Sequence, residues 1–213
     1  MLSPSSQPIR PPLTPAECDL RDFAFMPLEV ARLRSSDLAA LAPDREPPAA
    51  VLLWGASWHQ VPAASLPDDT QVLANLAGLG RDTRTWASIR EGAMRGWVCC
   101  SDGRLYHSVV AEKALEAWLE KLAMRISSGE GNAKRWQIAF DRAPLEAAMA
   151  ESRQLLLALN PHSRALRKRR TLGVPVTSGG SAGDVPPGSQ DDPGGIPSGC
   201  RRAPHKHGKG EGE

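Results

Sequence analysis

The fold is decided by residues 69–96, which read DTQVLANLAGLGRDTRTWASIREGAMRG. In the first half, apolar side chains recur at helical spacing from Leu73 until the glycine-rich residues 78–80 end the helix. In the second half, Asp82 begins a helix whose apolar side chains recur every three or four residues, so one stripe faces inward. That stripe consists of Trp86, Ile89, Ala93 and Trp97. Two helices joined by a short turn containing glycine are the sequence form of a helix-turn-helix.

A β-hairpin is expected immediately after the second helix, in residues 97–107. Asp102 and Gly103 lie between two apolar runs, and this dipeptide favours the tight two-residue turn that matches the twist of paired strands. With that turn, Cys100 would face Leu105 across the hairpin. A hairpin that follows the second helix of a helix-turn-helix is a wing, so the sequence predicts a winged helix.

The remaining helices complete a domain that is mainly α with a small β-hairpin wing. Residues 48–60 are apolar nearly all round, which predicts a helix buried at the centre of the domain. Residues 109–126 form another amphipathic helix, which the glycines in residues 129–132 are expected to end. The predicted winged-helix domain therefore spans residues 22–127.

The segments on either side of this domain differ from it in composition. Residues 1–21 contain five prolines within the first fifteen positions and are expected to form a disordered, Pro-rich arm. Residues 128–170 are expected to form a helical extension that ends in a basic cluster. Residues 171–213 hold 11 of the 19 glycines and few large apolar residues, so they cannot bury enough surface to offset the entropy of ordering. They are predicted to be a disordered, basic tail.

Charge is distributed unevenly along the chain, although the net charge is only +2. Residues 1–128 carry 13 Lys and Arg against 15 Asp and Glu, whereas residues 129–213 carry 13 against 9. The predicted domain is therefore slightly acidic, and an excess of basic charge follows it. Such charge governs non-specific attraction to nucleic acid.

The sequence shows neither a secretory signal nor an apolar run long enough to span a bilayer, so a cytoplasmic protein with no membrane partner is expected. The four cysteines, at positions 18, 99, 100 and 200, do not form the C-x-x-C spacing of a zinc knuckle or redox pair. Free thiols in a reducing compartment are the simplest interpretation.

One group of residues suggests chemistry and is interpreted as structural. Cys99, Cys100, Asp102 and His107 invite a nucleophile or metal hypothesis, because a thiolate needs a nearby base and zinc takes about four ligands. Adjacent residues on a strand point to opposite faces, so the two cysteines cannot both meet His107. Buried structural thiols are therefore favoured, and no catalytic residue, metal or cofactor is predicted.

The outward face of the second helix of the helix-turn-helix is the candidate DNA-recognition surface. It carries Arg81, Arg84, Ser88, Glu91 and Arg95. Residues 81–95 as a whole hold four arginines against two acidic residues, a local excess of two positive charges. Arginine contacts with phosphates supply salt-sensitive affinity, and contacts with base edges supply specificity. The alternative is an ordinary solvated face, since many winged helices bind proteins.

Basic residues outside this helix extend the candidate site. Arg104 in the wing is expected to contact a phosphate. The cluster Arg167, Lys168, Arg169 and Arg170 is expected to bind phosphates without sequence preference, the alternative being a solubilising tail. Trp97 and Tyr106 are the candidates for exposed base stacking.

An ordered series of short segments resembles a known family. The segments are residues 25–28, the helix ending at Trp58, residues 66–69, Gly78 with Leu79, Trp86 with Ile89, and residues 102–107. In this order they resemble, over about residues 23–124, the YdaU-like domain of unknown function, which occurs in prophages and phages. That family is similar in layout to the winged-helix N-terminal parts of phage replication proteins. The resemblance implies a winged helix and a phage-related role, and it implies no catalytic residues.

Two functions follow from these observations. The first is a non-enzymatic, phage-type or prophage-type protein that binds double-stranded DNA in replication initiation or its regulation. The alternative is a protein-interaction module that forms a homodimer or docks a replication protein, with the helix over residues 109–126 as its contact face. A small thiol or metal enzyme is the least favoured class.

Overall fold

A computed structural model of the protein describes residues 10–167, which form eleven helices and strands. In chain order they are α1 (Val30–Arg34), α2 (Asp37–Leu41), α3 (Glu46–Trp58), β1 (Ser65–Pro67), α4 (Thr70–Leu76), α5 (Thr83–Ala93), β2 (Trp97–Cys99), β3 (Arg104–His107), α6 (Ser108–Trp136), α7 (Ala143–Leu159) and α8 (Arg164–Arg167). The three strands form one antiparallel sheet in the order β1–β3–β2. The succession from α3 to β3 is that of a winged helix, which confirms the predicted mainly helical fold with a small β-wing.

The helix-turn-helix forms because each of its helices begins at an aspartate that caps it. The Asp69 carboxylate accepts the Val72 N–H at 2.8 Å at the start of α4, and the Asp82 carboxylate accepts the Thr85 N–H at 2.9 Å at the start of α5. Inside the domain, α3, α4, α5 and the sheet pack around one apolar cluster. Its largest members are Leu53, Leu66, Leu73, Trp86 and Leu105.

The hairpin register differs from the predicted one by one residue. Cys99 pairs with Leu105, and the Cys100 N–H donates to the Arg104 carbonyl at 2.9 Å, so the loop holds the three residues 101–103. Gly103 closes the loop with φ of 72°, a left-handed conformation that suits the last position of a three-residue hairpin loop. The predicted pairing of Cys100 with Leu105 is therefore wrong.

The central helix α3 is amphipathic in its packing, although its sequence is apolar nearly all round. One side of α3 buries Leu53 and Trp58, whereas Val51 and Leu52 are 37% and 49% exposed. The expectation of a helix buried on every side is wrong because α4, α5 and α6 cover only part of its circumference. Residues 51 and 52 fall on the part that remains.

The Pro-rich arm is packed against the domain from residue 10 onward, which corrects the prediction that residues 1–21 are disordered. The Thr14 hydroxyl donates to the Ala63 carbonyl at 2.8 Å, and Cys18 and Leu20 are fully buried. These apolar side chains join a second cluster with Trp58 and with Trp118 of α6. Proline lowers the entropy that an extended segment loses on ordering, so a few buried anchors suffice to hold it. Residues 1–9 lie outside the described part of the chain.

Helix α6 continues ten residues past the predicted end at Ile126 and reaches Trp136. Gly129 lies inside the helix, where the ring of Phe140 occupies the place that a Cβ atom would take. This glycine therefore permits a close contact instead of ending the helix. The predicted domain boundary at residues 127 and 128 is wrong, because α7 packs along α6 through Leu115, Leu119 and Leu156. The predicted tail, residues 171–213, lies outside the described residues.

Candidate nucleic-acid interface

Helix α5 presents its polar stripe outward, as its spacing predicts. Trp86, Ile89 and Ala93 are buried against the rest of the domain. The exposed side chains on and next to the other face are Arg81, Arg84, Ser88, Glu91 and Arg95. The polar face of α5 is therefore exposed to solvent along the length of the helix.

Three arginines of this stripe carry charge that the described residues do not neutralise. Arg81, Arg84 and Arg95 form no ion pair with any residue of 10–167. Arg90 differs from them, since its guanidinium lies 3.0 Å from Asp68 in an exposed ion pair. The stripe therefore holds unpaired cations that are available to an anionic partner.

Two polar side chains at the start and in the middle of α5, Asp82 and Ser88, are bonded within the helix. The Asp82 carboxylate accepts hydrogen bonds from the Thr85 hydroxyl at 2.6 Å and the Thr85 N–H at 2.9 Å, and these bonds hold the pKa of Asp82 below its usual value. The Ser88 hydroxyl donates to the Thr85 carbonyl at 2.7 Å. Ser88 thus lies on the predicted face, but its hydroxyl proton is already donated to the Thr85 carbonyl.

The structure places Arg104 differently from its predicted role in the wing. Its guanidinium donates to the Ser65 hydroxyl at 2.8 Å and to the Gln60 side-chain oxygen at 3.5 Å, and the side chain is half-buried. Arg104 therefore ties β3 to β1. A phosphate contact from this residue would have to compete with these internal bonds.

The predicted stacking surface is not assembled. Tyr106 is fully buried, and its hydroxyl donates to Asp102 at 2.7 Å; burial and this bond raise its pKa. Trp97 is half-buried and meets the ring of His107 edge-on, with centroids 5.5 Å apart. The prediction of an exposed Tyr106 is wrong because β3 is the central strand of the sheet and is buried on both faces, with Leu105 and His107 also buried.

His107 is a buried structural residue. Its ring lies between Trp54 and Trp97, and its Nδ1 accepts the Val110 N–H at 3.4 Å at the start of α6. Burial, together with the smaller effect of the nearby charge of Arg32, lowers the pKa of His107 from 6.5 to about 4. The ring is therefore neutral at physiological pH.

The thiols do not form a reactive centre with His107. Cys100 and Cys18 are buried, which raises the pKa of Cys100 and raises that of Cys18 to about 12. Cys99 is exposed, contrary to the interpretation of both wing cysteines as buried thiols. Among residues 10–167, no group of three or more His, Cys, Asp and Glu side chains is placed to hold a metal ion.

The structure places a basic residue that the sequence did not indicate, Arg45, near the start of α5. Arg45 is exposed just before α3, and its charge reaches Asp82 at the start of α5. It lies far from α5 in sequence, so helical periodicity gave no signal for it. Arg167 is exposed at the end of α8. Lys168, Arg169 and Arg170 lie outside the described residues.

Comparison with known proteins gives one finding. Residues 24–115 match a family model described as "Protein of unknown function (DUF1376)". The matched segment runs from just before α1 into α6 and includes the whole helix-turn-helix and wing. No curated protein and no solved structure matches the chain significantly. Within residues 10–167, every helix is too short or too polar to cross a membrane.

Proposed function

We propose that this protein is a non-enzymatic DNA-binding protein that inserts α5 into the major groove of double-stranded DNA. The observation that carries the proposal is the exposed stripe of α5, on which Arg81, Arg84 and Arg95 have no ion-pair partner among residues 10–167. An α-helix with its side chains is roughly 10–12 Å across, and the major groove is about 12 Å wide. The helix therefore fits the groove with its arginines directed at the DNA.

The spacing of these arginines suits contacts along the groove. Arg84 lies in the first turn of α5, about 14 Å along the helix axis from Ala93 at 1.5 Å per residue, and Arg95 follows two residues beyond that end. Side chains this far apart reach phosphates at different points of the duplex. Arg81, in the turn before α5, adds a contact at the N-terminal end, where the helix dipole also favours an anion.

The biological setting follows from resemblance. The order of segments shared with the YdaU-like phage domain, and the similarity of that domain to the winged-helix parts of phage replication proteins, support a role in phage or prophage replication initiation or its regulation.

The competing function, a protein-interaction module, is less well supported. Its contact face would be the apolar stripe of α6, but Leu115, Trp118, Leu122 and Ile126 are all nearly fully buried. Helix α7 and the arm that includes Leu20 cover this stripe within the chain. A docking partner would have to displace part of the core.

The test is a titration of fluorescently labelled duplex DNA at low salt with the full chain and with Arg81→Ala, Arg84→Ala. We expect the double variant to bind at least roughly tenfold more weakly. Its plot of log affinity against log salt should be shallower by about 1.8, because two phosphate contacts are lost. The control is Arg34→Ala, Arg125→Ala, which removes the same charge from exposed positions on α1 and α6. Failure of the unmodified protein to bind any duplex at micromolar concentration would sink the proposal.

A further inference from the structure

We propose that Arg10, in the N-terminal arm, is the residue through which the wing contacts a DNA phosphate. The proposal rests on the DNA-binding function proposed above and names a binding residue outside the helix-turn-helix. The sequence alone selects Arg104 for this role, and Arg10 lies 94 residues before it in the chain.

The backbone of Arg10 is attached to the tip of the wing. The Ser101 N–H donates to the Arg10 carbonyl at 2.8 Å, and Arg10 forms a parallel bridge with Cys100. Arg10 thus extends the sheet by one residue beyond the outer edge of β2. The arm is held on its other side by the buried Thr14, whose hydroxyl bonds the Ala63 carbonyl, so Arg10 is fixed from both directions.

Among residues 10–167, the charges at the wing tip leave Arg10 as a cation without an ion-pair partner. Arg10 is exposed and forms no ion pair with any residue of 10–167, whereas Arg104 is bonded to Ser65 and Gln60. Asp102 is the acidic residue of the tip. Both of its carboxylate oxygens accept hydrogen bonds, one from the Tyr106 hydroxyl and one from the Arg104 N–H. Asp102 is therefore held by the hairpin and does not pair with Arg10.

The position of Arg10 relative to α5 suits the backbone beside the groove. Strand β2 begins at Trp97, four residues after the end of α5 at Ala93. Cys100, to which Arg10 is bridged, lies about 10 Å further along the strand at 3.3 Å per residue. The wing tip therefore lies within about 12 Å, the width of a major groove, of the point where β2 begins after α5. The ligand of Arg10 is thus a phosphate of the same duplex.

The experiment compares Arg10→Ala and Arg10→Lys with the unmodified full chain in duplex titrations at several salt concentrations. We expect Arg10→Ala to bind every duplex sequence more weakly, with a log–log salt slope shallower by about 0.9, the value for one phosphate contact. Its deficit in affinity should then shrink by about 3.5-fold between about 50 and about 200 mM salt. Arg10→Lys should restore both quantities, and Arg34→Ala should change neither.

The outcomes separate this proposal from the function on which it rests. The contacts of Arg10 with the wing use its carbonyl, so the alanine variant keeps them, and an unchanged melting temperature will show this. If Arg10→Ala binds like the unmodified protein while Arg81→Ala, Arg84→Ala binds weakly, DNA binding stands and the role of Arg10 is overturned. A lysine variant that fails to restore binding also overturns it. If the unmodified protein binds no duplex, both proposals fall.

Discussion

Gly96 and His107 show, at the residue scale, how the wing is joined to α5. Gly96 ends the turn after α5 with φ of 84°, and a Cβ atom placed on it would lie 2.9 Å from the His107 Nε2. The imidazole needs this space because it also bonds Val110 and contacts Trp54. The absence of a side chain at Gly96 therefore lets the chain pass from α5 into β2 against the His107 ring.

Gly96→Ala should therefore destabilise the fold more than Gly103→Ala does. Both glycines have left-handed backbones, which cost a residue with a side chain about 1–2 kcal/mol. Gly103 has open space around it, whereas Gly96 has the ring of His107. Urea unfolding of the two variants measures the difference. Equal losses of unfolding free energy in the two variants would show that the His107 ring moves aside without an energetic penalty.

The buried, neutral His107 predicts a loss of stability in acid. Its pKa is about 4 in the folded protein and 6.5 ordinarily, so between these values the unfolded chain takes up a proton that the folded chain does not. The free energy of unfolding should then fall as pH is lowered from 6.5 to about 4, by about 3 kcal/mol, with no further loss from this residue below that range. Its full contribution is present above pH 6.5.

His107→Asn is the variant that tests this, because asparagine caps a helix but does not titrate. Urea unfolding at a series of pH values should show a smaller acid loss in the variant than in the unmodified protein. Subtracting the variant's curve of unfolding free energy against pH from that of the unmodified protein cancels the contributions of the other titratable groups. The same pH dependence in both would contradict the assignment to His107.

Elements that depend on local patterns could be predicted from the sequence, whereas their exact registers and ends could not. Both helices of the helix-turn-helix follow from apolar spacing and their aspartate caps. The dipeptide Asp102-Gly103 indicates a turn, but it suits hairpin loops of two and of three residues. It therefore does not determine which residues of β2 and β3 pair with each other. The glycine at position 129 predicts a helix end, because the packing of Phe140 against it follows from the fold and not from the local sequence pattern.

Two glycines of α6 offer a matched test of this interpretation. Gly131→Ala should stabilise the protein by about 0.5–1 kcal/mol, because nothing lies within 4 Å of its Cβ position and alanine favours helix. Gly129→Ala should lose that gain and more, since the Phe140 ring must leave the helix surface. Thermal and urea unfolding of both variants measure whether each substitution raises or lowers the free energy of unfolding. Stabilisation by both substitutions would mean that Phe140 contributes nothing where it lies.

At the scale of the whole molecule, the basic residues proposed to bind DNA lie in parts of the chain that are distant in sequence. The stripe of α5 could be recognised from its periodicity. Arg45 and Arg10 could not, because the fold alone brings them beside α5 and the wing. The same holds for Cys18 and Leu20, whose burial depends on contacts with α6 about a hundred residues away.

The slightly acidic charge of residues 1–128 makes the basic cluster that follows important for affinity. A domain with 13 basic and 15 acidic residues gains little from long-range attraction to DNA, so the cluster should supply it. We expect the triple variant Lys168→Ala, Arg169→Ala, Arg170→Ala to weaken binding to all duplexes equally and to make the log–log salt slope shallower by up to about 2.7.

Competition between duplexes of different sequence compares the sequence preference of this triple variant with that of the double variant in α5. Arg81→Ala, Arg84→Ala should change the order of preference among them, and the triple variant should not. Full affinity and an unchanged slope in the triple variant would show that the domain holds DNA without the cluster.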